Sequence, residues 1–252
     1  MAFLPLKDYN PLQRIRFQTV TVALIGGCVA VYIWQVTLPS PDYAIFTAGL
    51  IPAAVAGYLE GVDFMLPPAL TVLTSMFLHG GFMHLAGNML YLWVFGDNVE
   101  DALGHGRFLA FYLLCGAAAA GAQIASDPES VIPMVGASGA ISGVLGAYIV
   151  LHPRTKVLVM ILGRMTARMS AFWVLGLWIG LQLVSAQAEP AEGVEGGTAW
   201  WAHIGGFVAG LVLIAPMRQK GVPLFDREPG AAMPGFGSKG RSRIPDSGGW
   251  RG

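Results

Sequence analysis

Charged residues are scarce in this 252-residue chain, in which Asp, Glu, Lys and Arg together make up 12% of the sequence. An average soluble domain contains about twice that share. Hydrophobic residues make up 54% of the chain, and the mean hydropathy is +0.58. This composition excludes an ordinary soluble domain and predicts a protein that crosses a membrane several times.

Cysteine is also scarce, and basic residues form no patch. Cys28 and Cys115 both lie in apolar stretches, where a buried thiol behaves as a small hydrophobic side chain. The sequence therefore predicts no disulfide framework and no metal site, and no pattern in it requires a cofactor. Because Lys and Arg form no continuous patch, we expect no nucleic-acid partner.

Apolar runs are abundant. A membrane-spanning helix needs about 20 apolar residues. The six segments that approach this length are Phe17–Leu38, Phe82–Phe95, Phe108–Ala125, Ala137–Leu151, Ser170–Ala186 and Ala199–Pro216. No small-residue cleavage site follows the first run, which predicts a retained anchor instead of a signal peptide. A further stretch, Phe64–Leu78, is broken by Pro67 and Pro68, and we interpret it as re-entrant or interfacial.

The placement of positive charge distinguishes six spans from seven. Cytoplasmic loops of membrane proteins accumulate Lys and Arg. With six spans and a cytoplasmic N-terminus, all 15 Lys and Arg residues fall on the cytoplasmic side, whereas the outer connections contain only acidic charges. We therefore predict six spans with both termini in the cytoplasm.

The predicted fold is all-α, a six-helix multi-pass bundle, most naturally in a bacterial inner membrane. Residues 1–16 form a cytoplasmic N-terminus, and residues 17–217 form the membrane domain. Residues 218–252, rich in Gly, Pro, Ser and Arg, are predicted to be a disordered cytoplasmic tail. The apolar outer connection 39–81 is expected to lie partly in the outer leaflet.

Polar residues interrupt the apolar segments at one depth. His84 and Asn88 open the second segment, Ser138 opens the fourth, and His203 lies about one turn into the sixth. In the predicted topology these helices begin at the outer face, so we expect their side chains to meet there. An ionisable side chain at the centre of a membrane costs on the order of 2.5 kcal/mol or more. A functional site is therefore the first hypothesis.

Small residues flank these polar groups. The predicted helix-packing positions are Gly136, Gly139, Gly143, Gly206 and Gly210. Glycines spaced four apart let membrane helices approach closely, so that a serine hydroxyl can reach an imidazole at about 2.6 to 3.2 Å. Ser142 is instead interpreted as a packing residue that bonds back to a carbonyl one turn earlier. His203 taken alone is also compatible with a structural hydrogen bond, a proton relay or a haem ligand.

Other protease chemistries are excluded by pattern. The chain has no His-Glu-x-x-His motif and no pair of carboxylates within its apolar segments, and Ala140 replaces the last glycine of a Gly-x-Ser-x-Gly elbow. What remains is a catalytic dyad of Ser138 as nucleophile and His203 as base, without a carboxylate. The Ser138 backbone amide, His84 and Asn88 are the candidate oxyanion hole.

Two other groups of polar residues are interpreted without a catalytic role. Asp97, Glu100 and Asp101 are expected to be solvated or paired with Arg107, and His79 is expected to be an interfacial side chain.

These residues resemble the motifs of the rhomboid family of intramembrane serine proteases. The Gly-Ala-Ser-Gly run at 136–139 resembles the nucleophile motif, residues 202–210 resemble the final helix that carries the base, and His84 with Asn88 resembles the oxyanion helix. The resemblance extends over residues 70–217 and includes the six-span arrangement. It implies a hydrolase that cleaves transmembrane helices of other membrane proteins within the bilayer, near the outer face.

The resemblance also implies lateral entry of substrate past the fifth helix, with Phe172, Trp173 and Trp178 as candidate gate contacts. In two places the chain departs from the family: Ser142 stands where an aromatic residue often stacks on the base, and the Trp-Arg pair of the first outer loop is not found. Whether Ser142 alters base orientation stays open.

One alternative is a non-proteolytic relative that binds membrane helices in quality control or trafficking, and another is a solute or proton pathway. The sequence indicates neither the substrate, nor the oligomeric state, nor the biological process.

Overall fold

The computed structural model describes residues 3–59, 65–161, 163–188 and 198–225. Over these residues the chain is mostly helical, and each of the six predicted spans falls on a helix of 14 to 22 residues. The helices are α1 Thr19–Thr37, α2 Pro41–Ala48, α3 Pro52–Val55, α4 Thr71–Thr74, α5 Phe82–Leu103, α6 His105–Ser126, α7 Ser138–Leu151, α8 Ala171–Gln187 and α9 Trp200–Met217. Of these, α1, α6 and α9 are long and apolar enough to cross a membrane.

The short helix α7 lies at the centre of the bundle. It has 14 residues, and every residue from Gly139 to Tyr148 is buried. It packs against α5, α6 and α9. Because its neighbours cover it, α7 does not need the length of a lipid-exposed helix.

Glycines bring α7 and α9 close together. A Cβ on Gly206 would overlap the carbonyl oxygen of Gly139, and a Cβ on Gly210 would overlap that of Gly143. Gly146 meets the carbonyl of Phe207 in the same way. The two backbones therefore touch over two turns, an approach that any larger residue would prevent.

A three-stranded antiparallel sheet makes the prediction of an all-α fold wrong. The strands are β1 Phe3–Asp8, β2 Lys156–Ile161 and β3 Met165–Ser170, in the order β1-β2-β3. Val157 and Val159 alternate inward along β2 and are buried, as expected for a strand with one covered face. Gly163, with φ +70°, lies in the turn between β2 and β3. Each strand has only six residues, too few for its alternation to be distinctive in the sequence.

Basic residues gather at the end of the molecule that carries the sheet. The Arg168 guanidinium lies 4.8 Å from the centre of the Tyr9 ring. Arg107, at the start of α6, donates to the Met217 carbonyl at 3.3 Å. β1 also packs against α5, at Asn98 near the end that leads into α6. The start of α6 and the end of α9 therefore lie on the same side as the sheet.

Of the acidic residues at the end of α5, Glu100 and Asp101 are buried, so the prediction that they would be solvated or paired with Arg107 was wrong for these two. Asp97 is half-buried. Glu100 is fully buried and accepts hydrogen bonds from the amides of Val20 at 2.9 Å and Thr21 at 2.8 Å. Asp101 accepts hydrogen bonds from three consecutive amides, those of residues 13–15. Both carboxylates thus satisfy free amides at and before the start of α1, which explains why they are buried.

The start of the predicted tail is ordered. The Gln219 amide donates to the Ala102 carbonyl at 2.9 Å, the Phe225 amide donates to the Val150 carbonyl at 2.7 Å, and Val222 is buried. Disorder was therefore the wrong prediction for residues 218–225, because these backbone bonds attach them to the bundle. Residues 226–252 lie outside the described residues.

Candidate active site

Ser138 is the first residue of α7, and Gly136 shapes the turn before it. Gly136 has φ +124°, a conformation that only glycine adopts without strain. A Cβ at this position would lie 2.7 Å from Cε1 and 2.8 Å from Nε2 of the His84 ring. Gly136 therefore permits the approach of His84, and its predicted role in helix packing is corrected accordingly.

His203, the fourth residue of α9, faces Ser138. Its Nε2 lies 2.8 Å from Ser138 Oγ, within ordinary hydrogen-bond distance. The imidazole is 9% exposed. The close glycine contact of α7 with α9 brings the two side chains within reach of each other.

His84 and Asn88 lie in the first two turns of α5 and line the same cavity as Ser138 and His203. The Gly80 amide donates to His84 Nδ1 at 3.4 Å. A neutral ring therefore carries its proton on Nε2, the atom beside Gly136. The buried Asn88 Nδ2 has no acceptor among the described residues. Two N–H donors thus lie beside the segment that leads into Ser138.

These groups surround a cavity of about 600 Å³ between α5, α7, α8, α9 and residues 132–136. Apolar side chains such as Met76, Leu145 and Val174 make up much of its lining. Over the described residues, the lining contains no Asp, Glu, Lys or Arg. The polar groups of the cavity instead include hydroxyls, amides, the backbone and the imidazoles of His84 and His203.

Two side chains near the site test the interpretations made from sequence. The Ser142 hydroxyl donates to the Ser138 carbonyl at 2.6 Å, which confirms its interpretation as a packing residue. His79, in contrast, is buried, and its ring packs edge-on against His84 at 5.3 Å between centroids. The interfacial prediction was wrong because the Gln35 amide group of α1 bonds the backbone of residue 79 and draws this loop inward.

Gln182 on α8 is the residue that the sequence analysis missed. Its Oε1 lies 2.7 Å from His203 Nδ1, the ring nitrogen that does not face Ser138. Trp178, one turn earlier, packs near the same imidazole, with 5.8 Å between ring centroids. Of the three suggested gate aromatics, Phe172 and Trp173 are exposed. A glutamine inside an apolar segment, four residues after a tryptophan, was the available signal.

The chain resembles known proteins over the same region. A Rhomboid domain model matches residues 68–220. Rhomboid protease GluP of Bacillus subtilis is 48% identical over 85 residues, which are 33% of this chain and 16% of the relative. Rhomboid protein 1, mitochondrial, of Saccharomyces cerevisiae is 36% identical over 98 residues, 36% of this chain and 28% of the relative.

A longer match is found with Rhomboid protease AarA of Providencia stuartii, 30% identical over 151 residues, 52% of this chain and 50% of the relative. The chain thus spans half or less of the length of these relatives. The matched domain contains α4 to α9 and every residue that surrounds the cavity. Since the domain model covers more than half of the sequence, the chain belongs to the rhomboid family.

Proposed function

We propose that the chain is an intramembrane serine endopeptidase in which Ser138 is the nucleophile and His203 the general base. The observation that carries the proposal is the 2.8 Å distance between Ser138 Oγ and His203 Nε2. Relatives that are named proteases support this reaction class.

In the proposed reaction Ser138 is the donor of this hydrogen bond and His203 Nε2 the acceptor. Ser138 donates its proton to His203 Nε2 as Oγ attacks the carbonyl carbon of the scissile peptide bond. The imidazolium then gives that proton to the leaving amine, which leaves an acyl group on Ser138. Water, deprotonated by the same imidazole, releases the acyl group as a carboxylic acid and regenerates the serine.

The negative charge on the carbonyl oxygen needs donors that are already in place. Asn88 Nδ2, His84 Nε2 and the Ser138 amide are the candidates, and the Ser138 amide lies at the start of a helix, where backbone donors are free and the dipole favours negative charge. Asn88 supports this role most directly, because its buried donor has no acceptor among the described residues. Each such donor contributes about 2.7 to 4 kcal/mol to the stabilisation of a transition state.

We propose that six helices, α1 and α5 to α9, span the membrane, with both ends of the chain in the cytoplasm. Lys7 and Arg168 in the sheet and Arg107 beside α9 support this orientation, because they share one end of the bundle, opposite the Ser138 end of α7. The apolar lining of the cavity supports an apolar part of a transmembrane segment of another protein as substrate, and the bacterial relatives support an inner-membrane location.

Cleavage of a transmembrane reporter in liposomes tests the proposal. The wild-type protein is compared with Ser138→Ala and His203→Ala, with Ser142→Ala as a matched control one turn along α7. Product bands on a gel are expected for the wild type and for Ser142→Ala, since the Ser142 hydroxyl donates back to the Ser138 carbonyl of its own helix. Ser138→Ala and His203→Ala are expected to give none.

Two results would contradict the proposal. If Ser138→Ala cut as fast as the wild type, the nucleophile would lie elsewhere. If the wild type bound reporter helices but left them intact across a broad panel, a helix-binding function would replace the proteolytic one.

A further inference from the structure

The imidazole of His203 contacts side chains of two other helices, α7 and α8. Ser138 Oγ lies 2.8 Å from Nε2, and Gln182 Oε1 lies 2.7 Å from Nδ1. Gln182 is 7% exposed and His203 is 9% exposed, so little water competes for this contact. Both ring nitrogens therefore have a side-chain partner.

The second amide atom of Gln182 determines the direction of that contact. Gln182 Nε2 donates to the Trp178 carbonyl at 3.3 Å. Because the NH₂ group faces this carbonyl, the oxygen faces the imidazole, and an amide oxygen can only accept. His203 Nδ1 must then carry the proton. A neutral imidazole has one N–H, so Nε2 presents its lone pair to the hydroxyl of Ser138.

We propose that Gln182 is a positioning residue of the active site, which holds His203 in the tautomer and ring orientation that a general base for Ser138 requires. This inference rests on the proposed function. In this arrangement a neutral amide occupies the place that a carboxylate has in a catalytic triad. The lining of the cavity agrees, since it includes no Asp or Glu among the described residues.

Trp178 is the second residue of α8 that contacts His203. Residues four apart lie on one face of a helix, so the indole and the Gln182 amide reach the same imidazole. The rings of Trp178 and His203 are 5.8 Å apart and inclined by 37°. The opposite face of α8 is open, with Trp173 and Val184 exposed. The contacts of Trp178 and Gln182 with His203 therefore require that α8 lies against α9.

The test measures kcat and KM for the transmembrane reporter with variants of two glutamines. Gln187 is the matched control: it lies on α8, and its Nε2 donates to the carbonyl one turn earlier, but it is exposed. Gln182→Leu is expected to lower kcat by about 10- to 100-fold, the usual effect of losing a group that orients a functional histidine, with little change in KM. Gln182→Glu keeps an oxygen acceptor and is expected to recover most of that loss. Gln187→Leu is expected to match the wild type.

Nitrogen NMR of the imidazole rings gives a readout that does not depend on cleavage. The wild-type protein is expected to show His203 with a protonated Nδ1 and a bare Nε2, and the spectrum of His203→Ala assigns the signals. Gln182→Leu is expected to populate both tautomers. Should that variant fail to fold, Gln182→Asn is measured in its place, because it keeps an amide on the helix but withdraws the oxygen by one methylene.

The outcomes separate the two proposals. If the wild type cleaves the reporter and Gln182→Leu has the same kcat and the same His203 tautomer, the positioning role is overturned and the proteolytic function stands. If the folded wild type cleaves no reporter, the proposed function fails and the positioning role fails with it.

Discussion

Two features exclude other residues at position 136: the backbone conformation of Gly136 and its close contact with the His84 ring. Its φ of +124° lies in a region that L-residues rarely adopt. The position of a Cβ there is already taken by the edge of the His84 ring. The contact with His84 bears on the active site, because His84 is a candidate hydrogen-bond donor to the oxyanion.

The substitution Gly136→Ala is expected to lower kcat/KM for the reporter by about 100-fold, since a displacement of roughly 1 Å in a catalytic group has that effect. Gly163→Ala is the control: its φ is +70° and nothing lies within 4 Å of the added methyl. It also places an L-residue at positive φ but without the contact, so its activity should stay at the wild-type value. Equal losses in both variants would attribute the effect to strain alone.

The residues of the candidate site differ in how readily they can be identified from the sequence. Ser138 and His203 stand out because they are polar groups beside glycines in apolar segments. Gln182 does not, because nothing in the sequence fixes the rotation of α8 about its axis. The prediction for His79 was wrong for a related reason. Its burial follows from the hydrogen bond between its backbone and Gln35 on α1, two residues that are 44 positions apart in the sequence.

At the scale of helices, the contact of α7 with α9 fixes the distance between the two reacting groups. The spacing of glycines by four predicted which faces would meet. Gly146, which touches the Phe207 carbonyl, falls outside that spacing and was not singled out. Helix lengths were predictable from the apolar runs except in α5, which continues to Leu103 because its acidic end is buried.

Gly206→Ala is expected to destabilise the protein by about 1 to 3 kcal/mol, the usual effect of overfilling a packed interior. The added methyl would overlap the Gly139 carbonyl and push α9 away from α7, so cleavage should fall as well. In Gly121→Ala the methyl meets nothing within 4 Å, and stability should be unchanged or rise by up to about 1 kcal/mol. Thermal unfolding in detergent measures both, and a stable, active Gly206→Ala protein would refute the role given to this contact.

At the scale of the whole molecule, Asp8 joins the sheet to the bundle. Its Oδ2 accepts hydrogen bonds from the Tyr148 hydroxyl on α7 at 2.7 Å and from Asn98 Nδ2 on α5 at 3.0 Å. The pKa of Asp8 is raised to about 7, mainly because the carboxyl group is buried. The nearby charge of Asp97 adds to the rise, whereas the hydrogen bond from Tyr148 and the charge of Lys7 oppose it. The folded protein therefore holds a proton there that the unfolded chain releases at lower pH.

This proton gives stability a predictable dependence on pH. The pKa of Asp8 rises from 3.8 in the unfolded chain to about 7 on folding, so below pH 3.8 both states are protonated and the group has no effect. As the pH rises from there to about 7, the contribution of Asp8 falls by at most about 1.4 kcal/mol per pH unit, and above that it stays constant. Asp8→Asn should remove this slope from denaturation curves measured across the range. The exposed Asp42→Asn, the control, should retain it, and an unchanged slope in Asp8→Asn would contradict the assignment.

The sheet also has a consequence for the order in which the protein is made. β1 comprises residues 3–8, and its partner β2 comprises residues 156–161, with α1 to α7 between them. At about 5 to 20 residues per second, a ribosome needs about 7 to 30 s to synthesise that interval. Glu100 and Asp101 can bind the N-terminal segment earlier, as soon as α5 exists. The first strand of the chain can therefore pair with β2 only after α1 to α7 have been synthesised. The formation of this strand pair follows the delivery of the central helix α7 to the membrane.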